Sequence, residues 1–317
     1  MNNYAVSYKH DNPIAKNHFF KSRRKITMKK ILSISLALVM MLSCLAAFSS
    51  CFKQDTIIVH TNAFFAPFEY YDGDKIVGVD VEIMNLVGEK LNKKVEFTNV
   101  EFSAIIDNVK DGKVCDAGAA GITITDERKE KVDFSIPYYT SVQYVIFAAA
   151  DESIVTKTVN GKEYIVWEAL AGKKIGTQTD TTGWIYVDGE INATADNDYG
   201  YDGVLYGTDS TLVSYDNAQL AADAIGAKQI DVVVVDELPA QYITKNNSAL
   251  KCVPLYYSGD TDAEDAPVEE QYAICVTKGN DDLLKAINEV LTDLMKKGDD
   301  GKSEIEKMVM KHMGFAN

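Results

Sequence analysis

The chain has 317 residues, of which 46% are hydrophobic and 25% charged, an ordinary globular composition that excludes long low-complexity disorder and is long enough for two lobes. Its formal charge is −15; the first 50 residues carry eight Lys/Arg and one Asp, so the part from Cys51 onward holds 24 basic against 46 acidic side chains, formally −22. Such a surface repels phosphate backbones and anionic lipid and argues against nucleic acid as a partner.

In chain order, the first feature is the segment from Met28. Lys29 and Lys30 precede an apolar run from Ile31 to Leu42, and small residues then lead to Cys51. This is the layout of a secretory signal, and it falls short of the roughly 20 apolar residues of a spanning helix. Phe48-Ser49-Ser50-Cys51 resembles the lipobox of bacterial lipoproteins, which implies lipidation at Cys51; Met41-Leu42-Ser43-Cys44 is a weaker competing site. Residues 1–50 are therefore read as an upstream extension and signal peptide, with translation expected to begin at Met28. The remaining cysteines, Cys115, Cys252 and Cys275, are widely spaced in apolar contexts and are expected to be buried free thiols.

Beyond the anchor, strand-like and helix-like stretches alternate, the pattern of α/β sheets. Thr56 to His60 predicts a strand. From Asp80, the spacing of Val81, Met84, Val87 and Leu91 predicts a helix. Val95 to Phe97, Val114 to Ala120, Tyr144 to Ala149, Lys174 to Gly176 and Asp231 to Val235 read as further strands, and Ser103 to Val109 as a helix. Leu283 to Leu294 and Ile305 to His312 read as amphipathic C-terminal helices. The stretch 192–209, rich in Asp, Gly and Tyr, reads as a surface insertion; Asp196, Asp198 and Asp202 lack the spacing of a calcium loop.

Catalytic signatures are missing: there is no Gly-x-Ser-x-Gly, no Gly-x-x-x-x-Gly-Lys-Ser/Thr loop, no His-Glu-x-x-His and no dinucleotide fingerprint, so no cofactor is expected and binding without turnover leads. The informative segment runs from Gly121 to Arg128 (Gly-Ile-Thr-Ile-Thr-Asp-Glu-Arg). A strand there delivers the chain to a helix start near Thr125, leaving N–H groups of Gly121 and Thr123 at a strand's carboxyl end, where ligands of open α/β sheets bind. Arg128 sits against the helix dipole, which is better explained if it meets an anion; the alternative is a surface Arg paired with Glu127 or Glu130.

Gly121 to Arg128, followed by Val132-Asp133-Phe134-Ser135-Ile136-Pro137-Tyr138-Tyr139, resembles the signature of the amino-acid-binding proteins of ABC importers (extracellular solute-binding proteins, family 3, polar amino acid group). Ala66-Pro67-Phe68-Glu69 and Gly78-Val79-Asp80-Val81-Glu82 are similar to that family's N-terminal motif, and the likeness extends from Thr56 to Gly314. The resemblance implies a bilobal type II periplasmic-binding fold, two open and mostly parallel sheets joined by two crossing strands. Lobe 1 would comprise 51–139 with 272–317, and lobe 2 143–268. It further implies that Arg128, Thr123 and the N–H of Gly121 hold a ligand α-carboxylate, and that Asp236 pairs with the α-ammonium. Phe65 and Phe102 would flank the ligand side chain, while Phe68 is expected in the core. Thr181, Thr182 and Gln178 would contact the ligand from lobe 2, with Asp180 standing where Gly is usual. Asn62 and Val235 would read the ligand side chain; since neither is charged, a neutral polar amino acid such as glutamine is favoured. The implied partners are that amino acid, the permease subunits of an importer and the membrane through the lipid anchor, with the protein a monomer. Two other readings stay open: an enzyme similar to cyclohexadienyl dehydratases, with Asp180 as its general acid, and a receptor's amino-acid sensor module, disfavoured because no second hydrophobic span or signalling domain follows.

Overall fold

The structure, a computed structural model, describes residues 55–315; the signal segment, Cys44 and Cys51 lie outside the described residues. The first part of the chain forms β1 (Thr56–Thr61), the antiparallel trio β2 (Phe64–Phe65), β3 (Glu69–Asp72) and β4 (Lys75–Val77), then α1 (Val79–Leu91), β5 (Lys94–Asn99), α2 (Phe102–Asp111), β6 (Ala117–Gly118), α3 (Asp126–Lys131) and β7 (Asp133–Phe134). The middle part holds β8 (Tyr139–Ala148), β9 (Lys157–Val159), β10 (Lys162–Val166), β11 (Lys174–Gln178), α4 (Thr182–Asn192), β12 (Thr211–Tyr215), α5 (Ala218–Gly226), β13 (Val232–Asp236), α6 (Glu237–Asn246), β14 (Leu250–Tyr257) and β15 (Ala266–Pro267). The chain then returns through β16 (Glu269–Tyr272) and β17 (Cys275–Val276) and ends in α7 (Asp281–Leu294) and α8 (Glu304–His312).

Local chemistry accounts for several of these boundaries. Helix α1 buries Val79, Ile83, Met84 and Val87 along one stripe, and its entry requires Gly78: the backbone has φ +137°, and a Cβ there would stand 2.0 Å from the Phe68 carbonyl oxygen. Thr125 caps α3 by accepting the Arg128 N–H, and Ser303 caps α8 in a reciprocal box with Glu306. The strand expected over 114–120 shrinks to Ala117–Gly118. Asp116 accepts the Ile58 N–H with its side chain, and Val114 is exposed, so the ladder with β1 begins only at Val59.

The first sheet has the order β5-β1-β6-β17-β7, with β5, β1 and β6 parallel and β17 antiparallel to both its neighbours. The second contains β12-β11-β13-β8-β14-β10-β9, parallel across β12, β11 and β13 and antiparallel on both sides of β8. β8 enters from the first sheet rather than through a helical crossover, so nothing obliges it to run parallel. β16 lies antiparallel to the start of β8, from Glu269 opposite Val142 to Tyr272 opposite Tyr139. These two paired strands carry the chain between the sheets. Around them Phe68, Tyr138, Tyr139 and Tyr272 stack edge to face, which places Phe68 in the core.

Cys115 and Cys275 are buried free thiols, with pKa values pushed up by burial to about 11 and about 12. Cys252 departs from expectation: it is half-buried, against the Thr244 hydroxyl at 3.3 Å. The segment between α4 and β12 carries no helix or strand. It is tied down by Glu190, which accepts the Val204 N–H (2.7 Å) and the Tyr257 hydroxyl (2.6 Å). Among the described residues no group of three or more His, Cys, Asp or Glu side chains is placed to hold a metal.

Candidate functional site

A narrow cavity lies between the two sheets, at the carboxyl ends of β1, β6, β11 and β13. Asn62, Phe65, Phe102, Gly121, Thr123, Arg128, Gln178, Thr181, Thr182 and Asp236 all line it, together with Glu69 and Ala120. The position follows from topology: parallel strands end on one side, and the loops that leave them converge there.

Arg128 is only 8% exposed, which removes it from the surface-pair reading; Glu127 is instead engaged by Lys131. Its guanidinium donates to the Thr123 carbonyl (2.8 Å) and, across the cleft, to the Asp180 carbonyl (2.9 Å), and it lies 5.4 Å from the centroid of the Phe102 ring. Carbonyls and a ring face orient a cation without neutralising it. No carboxylate forms a salt bridge with Arg128 among the described residues, although burial pushes its pKa below the ordinary value. A guanidinium has five N–H donors, so this one keeps donors for an anion in the cleft.

At the opposite pole stands a group of buried carboxylates. Asp236 closes β13 at the N-terminus of α6, yet its side chain makes no cap hydrogen bond. It accepts instead from Gln143 Nε2 at 3.2 Å, and the same Nε2 donates to Glu270 Oε1 at 2.9 Å. Burial, followed by the charge of neighbouring Glu270, raises the Asp236 pKa well above the carboxylate range. Glu270 Oε2 receives the hydroxyls of Thr123 (2.8 Å) and Thr182 (2.7 Å). Thr123 therefore uses its carbonyl on Arg128 and its hydroxyl on Glu270.

The remaining wall is polar and uncharged at Asn62, whose Oδ1 accepts from Gln178 Nε2 (2.9 Å) while its Nδ2 holds the Val100 carbonyl (2.8 Å). Phe65 packs against Phe68 and Tyr272. Glu69 is fully buried and neither carboxyl oxygen meets a hydrogen-bond donor. Burial, then the adjacent Asp80, drives its pKa well above the ordinary range.

Four expectations need correction. The Gly121 N–H does not face the cleft; it donates to Asp80 Oδ2 at 3.0 Å, because the backbone turns there with φ +53°. A Cβ at Gly121 would stand 2.7 Å from Phe65 Cε1, so glycine is needed for packing as well as conformation. The Thr181 hydroxyl is spent locally, capping α4 through the Trp184 N–H and donating to the Gln178 carbonyl. Val235 belongs to the apolar core rather than to the cleft wall. Asp180 takes the left-handed conformation (φ +60°) and offers its carbonyl to Arg128, while the residue is exposed, so it does not supply a general acid to the cavity.

Sequence reasoning missed Glu69, Gln143 and Glu270. Alternate residues of β16 (Glu269-Glu270-Gln271-Tyr272) are buried, which puts Glu270 and Tyr272 inside. Strand alternation was the available signal, hidden because the inward positions are a carboxylate and a phenol.

Two main sheets joined by two paired strands, with a bipolar cleft between them, give the layout of a solute-binding protein. The chain matches the family of bacterial extracellular solute-binding proteins, family 3, over residues 57–311, and belongs to it. It is similar to the arginine-binding extracellular protein ArtP of Bacillus subtilis (strain 168), with 27% identity over 255 residues, covering 80% of this chain and 85% of that one. Among solved structures, an ancestral arginine-binding protein bound to arginine aligns with TM-score 0.62 and 32% identity over 82% of this chain and 98% of the other. An ancestral arginine-binding protein bound to glutamine aligns with TM-score 0.63 and 32% identity, covering 82% and 99%.

Proposed function

We propose that this protein captures a free amino acid between its lobes, outside the cytoplasm, and delivers it to an ABC importer. The observation that carries this reading is the separation of charge in the cleft. Arg128 is buried with donors to spare and no salt bridge to a carboxylate among the described residues, while Asp236 is buried at the other pole beside Glu270. A zwitterion supplies both missing partners at once: its carboxylate meets Arg128 and its ammonium meets Asp236. The lobes are residues 51–139 with 272–317 and residues 143–268. Hinge motion at the paired strands β8 and β16 lets Asp236 and Thr182 close onto a ligand first held by Arg128. Each ligand charge is then desolvated only as its partner arrives, which couples binding to the closed form a transporter would recognise.

For the ligand side chain, the uncharged pair Asn62 and Gln178 supports a neutral polar amino acid such as glutamine. The buried, unpartnered carboxyl of Glu69 on the same wall favours a second reading, a cationic side chain, and several similar proteins are described as arginine-binding. Lipidation at Cys51 and a monomeric state complete the proposal. Thermal unfolding of the purified protein against the twenty amino acids tests it, because a ligand at 100 times its Kd stabilises by about 2.7 kcal/mol. A shift with glutamine or other neutral polar residues supports the first reading, and a shift confined to arginine and lysine the second. No shift with any amino acid sinks both.

A further inference from the structure

Glu270 does not line the cavity, yet it holds the hydroxyls of two threonines that do. It is 2% exposed, on β16 where the chain crosses between the sheets, and it accepts three hydrogen bonds from three different places. One comes from Thr123 on the loop after β6, one from Thr182 at the start of α4, and one from Gln143 on β8. The two threonines stand on opposite walls of the cleft, and their hydroxyl oxygens are 3.4 Å apart. The contacts to Glu270, at 2.8 and 2.7 Å, are much shorter and end on a carboxylate. Both hydroxyl protons therefore go to Glu270 rather than from one threonine to the other.

This fixes what the threonines can do in the cavity. A hydroxyl has one proton and two lone pairs, so with both protons directed at Glu270, Thr123 and Thr182 present only acceptors to the cleft. Asp236 lines the same pole, and its Oδ1 already takes the Gln143 amide, so that amide adds no free donor there. The pole is then an all-acceptor pocket built from two hydroxyl oxygens and a carboxylate. Its complement is a group with several donors and no need of one, which describes an ammonium. A hydroxyl ligand brings one donor, and a ketone oxygen brings none and would face lone pairs; buried acceptors left unpaired are what makes such sites discriminate.

The geometry points to Glu270 as a positioning residue that sets the selectivity of the cleft for an α-ammonium, by holding the protons of Thr123 and Thr182 away from the ligand. Because the two hydroxyls come from opposite walls, only the closed arrangement assembles this pocket, so ammonium recognition and closure depend on the same carboxylate. The inference rests on the amino-acid reading above and adds a specific discrimination to it: an α-amino acid over the α-hydroxy acid of identical side chain.

The test is Glu270→Gln, with calorimetric titration of L-arginine against argininic acid and of L-glutamine against 2-hydroxyglutaramate. A glutamine amide donates to the threonine oxygens, turning their protons into the cleft. Affinity for the amino acid should fall about ten- to a hundredfold, while the hydroxy acid loses far less, so the preference between them drops by about tenfold or more. Equal losses for both ligands, as from removal of a mere tether between elements, or no loss for either, would overturn the inference. Should Glu270→Gln fail to fold by circular dichroism, Thr182→Val keeps the carboxylate and removes one polarised hydroxyl. The same selective loss is expected there, and a non-selective one overturns the inference equally. Wild-type protein that binds none of the twenty amino acids condemns the amino-acid reading itself, an outcome separate from any behaviour of the variants.

Discussion

The two poles of the cleft hold opposite charges by opposite means. Arg128 is oriented by two carbonyls and an aromatic face, all acceptors or π-density that leave its charge unmatched. Asp236 and Glu270 are oriented by an amide and two hydroxyls, neutral donors that leave theirs unmatched in turn. Neither pole uses the nearby opposite charge to satisfy itself. Had Arg128 been paired with Glu270 directly, the cleft would be a closed salt bridge with nothing to offer a solute. Interposing neutral groups keeps both poles competent at the cost of burying them, which is why burial dominates the pKa changes of Arg128 and Asp236.

The comparison is broken most severely at the cation. Arg128→Ala should weaken amino-acid binding by about a hundredfold or more, since two charged hydrogen bonds are lost, while the unfolding temperature of the free protein stays close to wild type; titration calorimetry and thermal unfolding read the two effects. At the anionic pole, Asp236→Asn should cost about tenfold or more and change the pH profile. Burial and the neighbouring Glu270 raise the Asp236 pKa, so a proton competes with an ammonium for its carboxylate. Wild-type affinity should therefore weaken as pH falls, and Asp236→Asn should flatten that slope; a wild-type Kd that does not vary between pH 5 and 8 would contradict the assignment.

The next effects are on stability. Gly121→Ala places a Cβ against Phe65 at a positive φ and should destabilise by about 1–2 kcal/mol, seen as a fall in Tm of several degrees. Beneath Gly121, burial raises Asp80 to about 6 despite the Tyr138 and Gly121 bonds that oppose the shift. The sign is that of a raised acid: its folded pKa exceeds its unfolded value of 3.8, so the stability it contributes is complete below pH 4 and lost as pH rises through 6. Tm measured from pH 4 to 7 should decline more steeply in wild type than in Asp80→Asn. The smallest effect belongs to Asp180→Gly, which relieves a left-handed non-glycine residue and keeps the carbonyl facing Arg128. Binding should be unchanged within about twofold and stability equal or up to about 1 kcal/mol higher.

Most elements were legible because their signal is local. Helical spacing marks α1 and α7, and the valine run marks β13, since an apolar stripe or run declares which face must leave water. Thr125 and Arg128 were readable from the clash between a cation and a helix start. The hairpin β2 to β4 and strand β16 were not read, because their residues are mostly polar or aromatic and alternate too briefly to stand out. At the site, the residues that converge on the cavity could be named, but not the destination of each hydrogen bond. The Gly121 N–H found Asp80, and the Thr181 hydroxyl found its own helix end.

What the sequence determined by itself is therefore the alternation of elements, the apolar faces, and the bipolar inventory of one arginine loop and one aspartate-terminated strand. Those follow from periodicity and capping, which act over a few residues. Only the tertiary structure decided that Glu270, 147 residues from Thr123 along the chain, would receive its proton, and that Asp180 would turn outward. A buried polar side chain is stable only with partners, and partners so distant in sequence are chosen by how the two sheets meet, which no local pattern records.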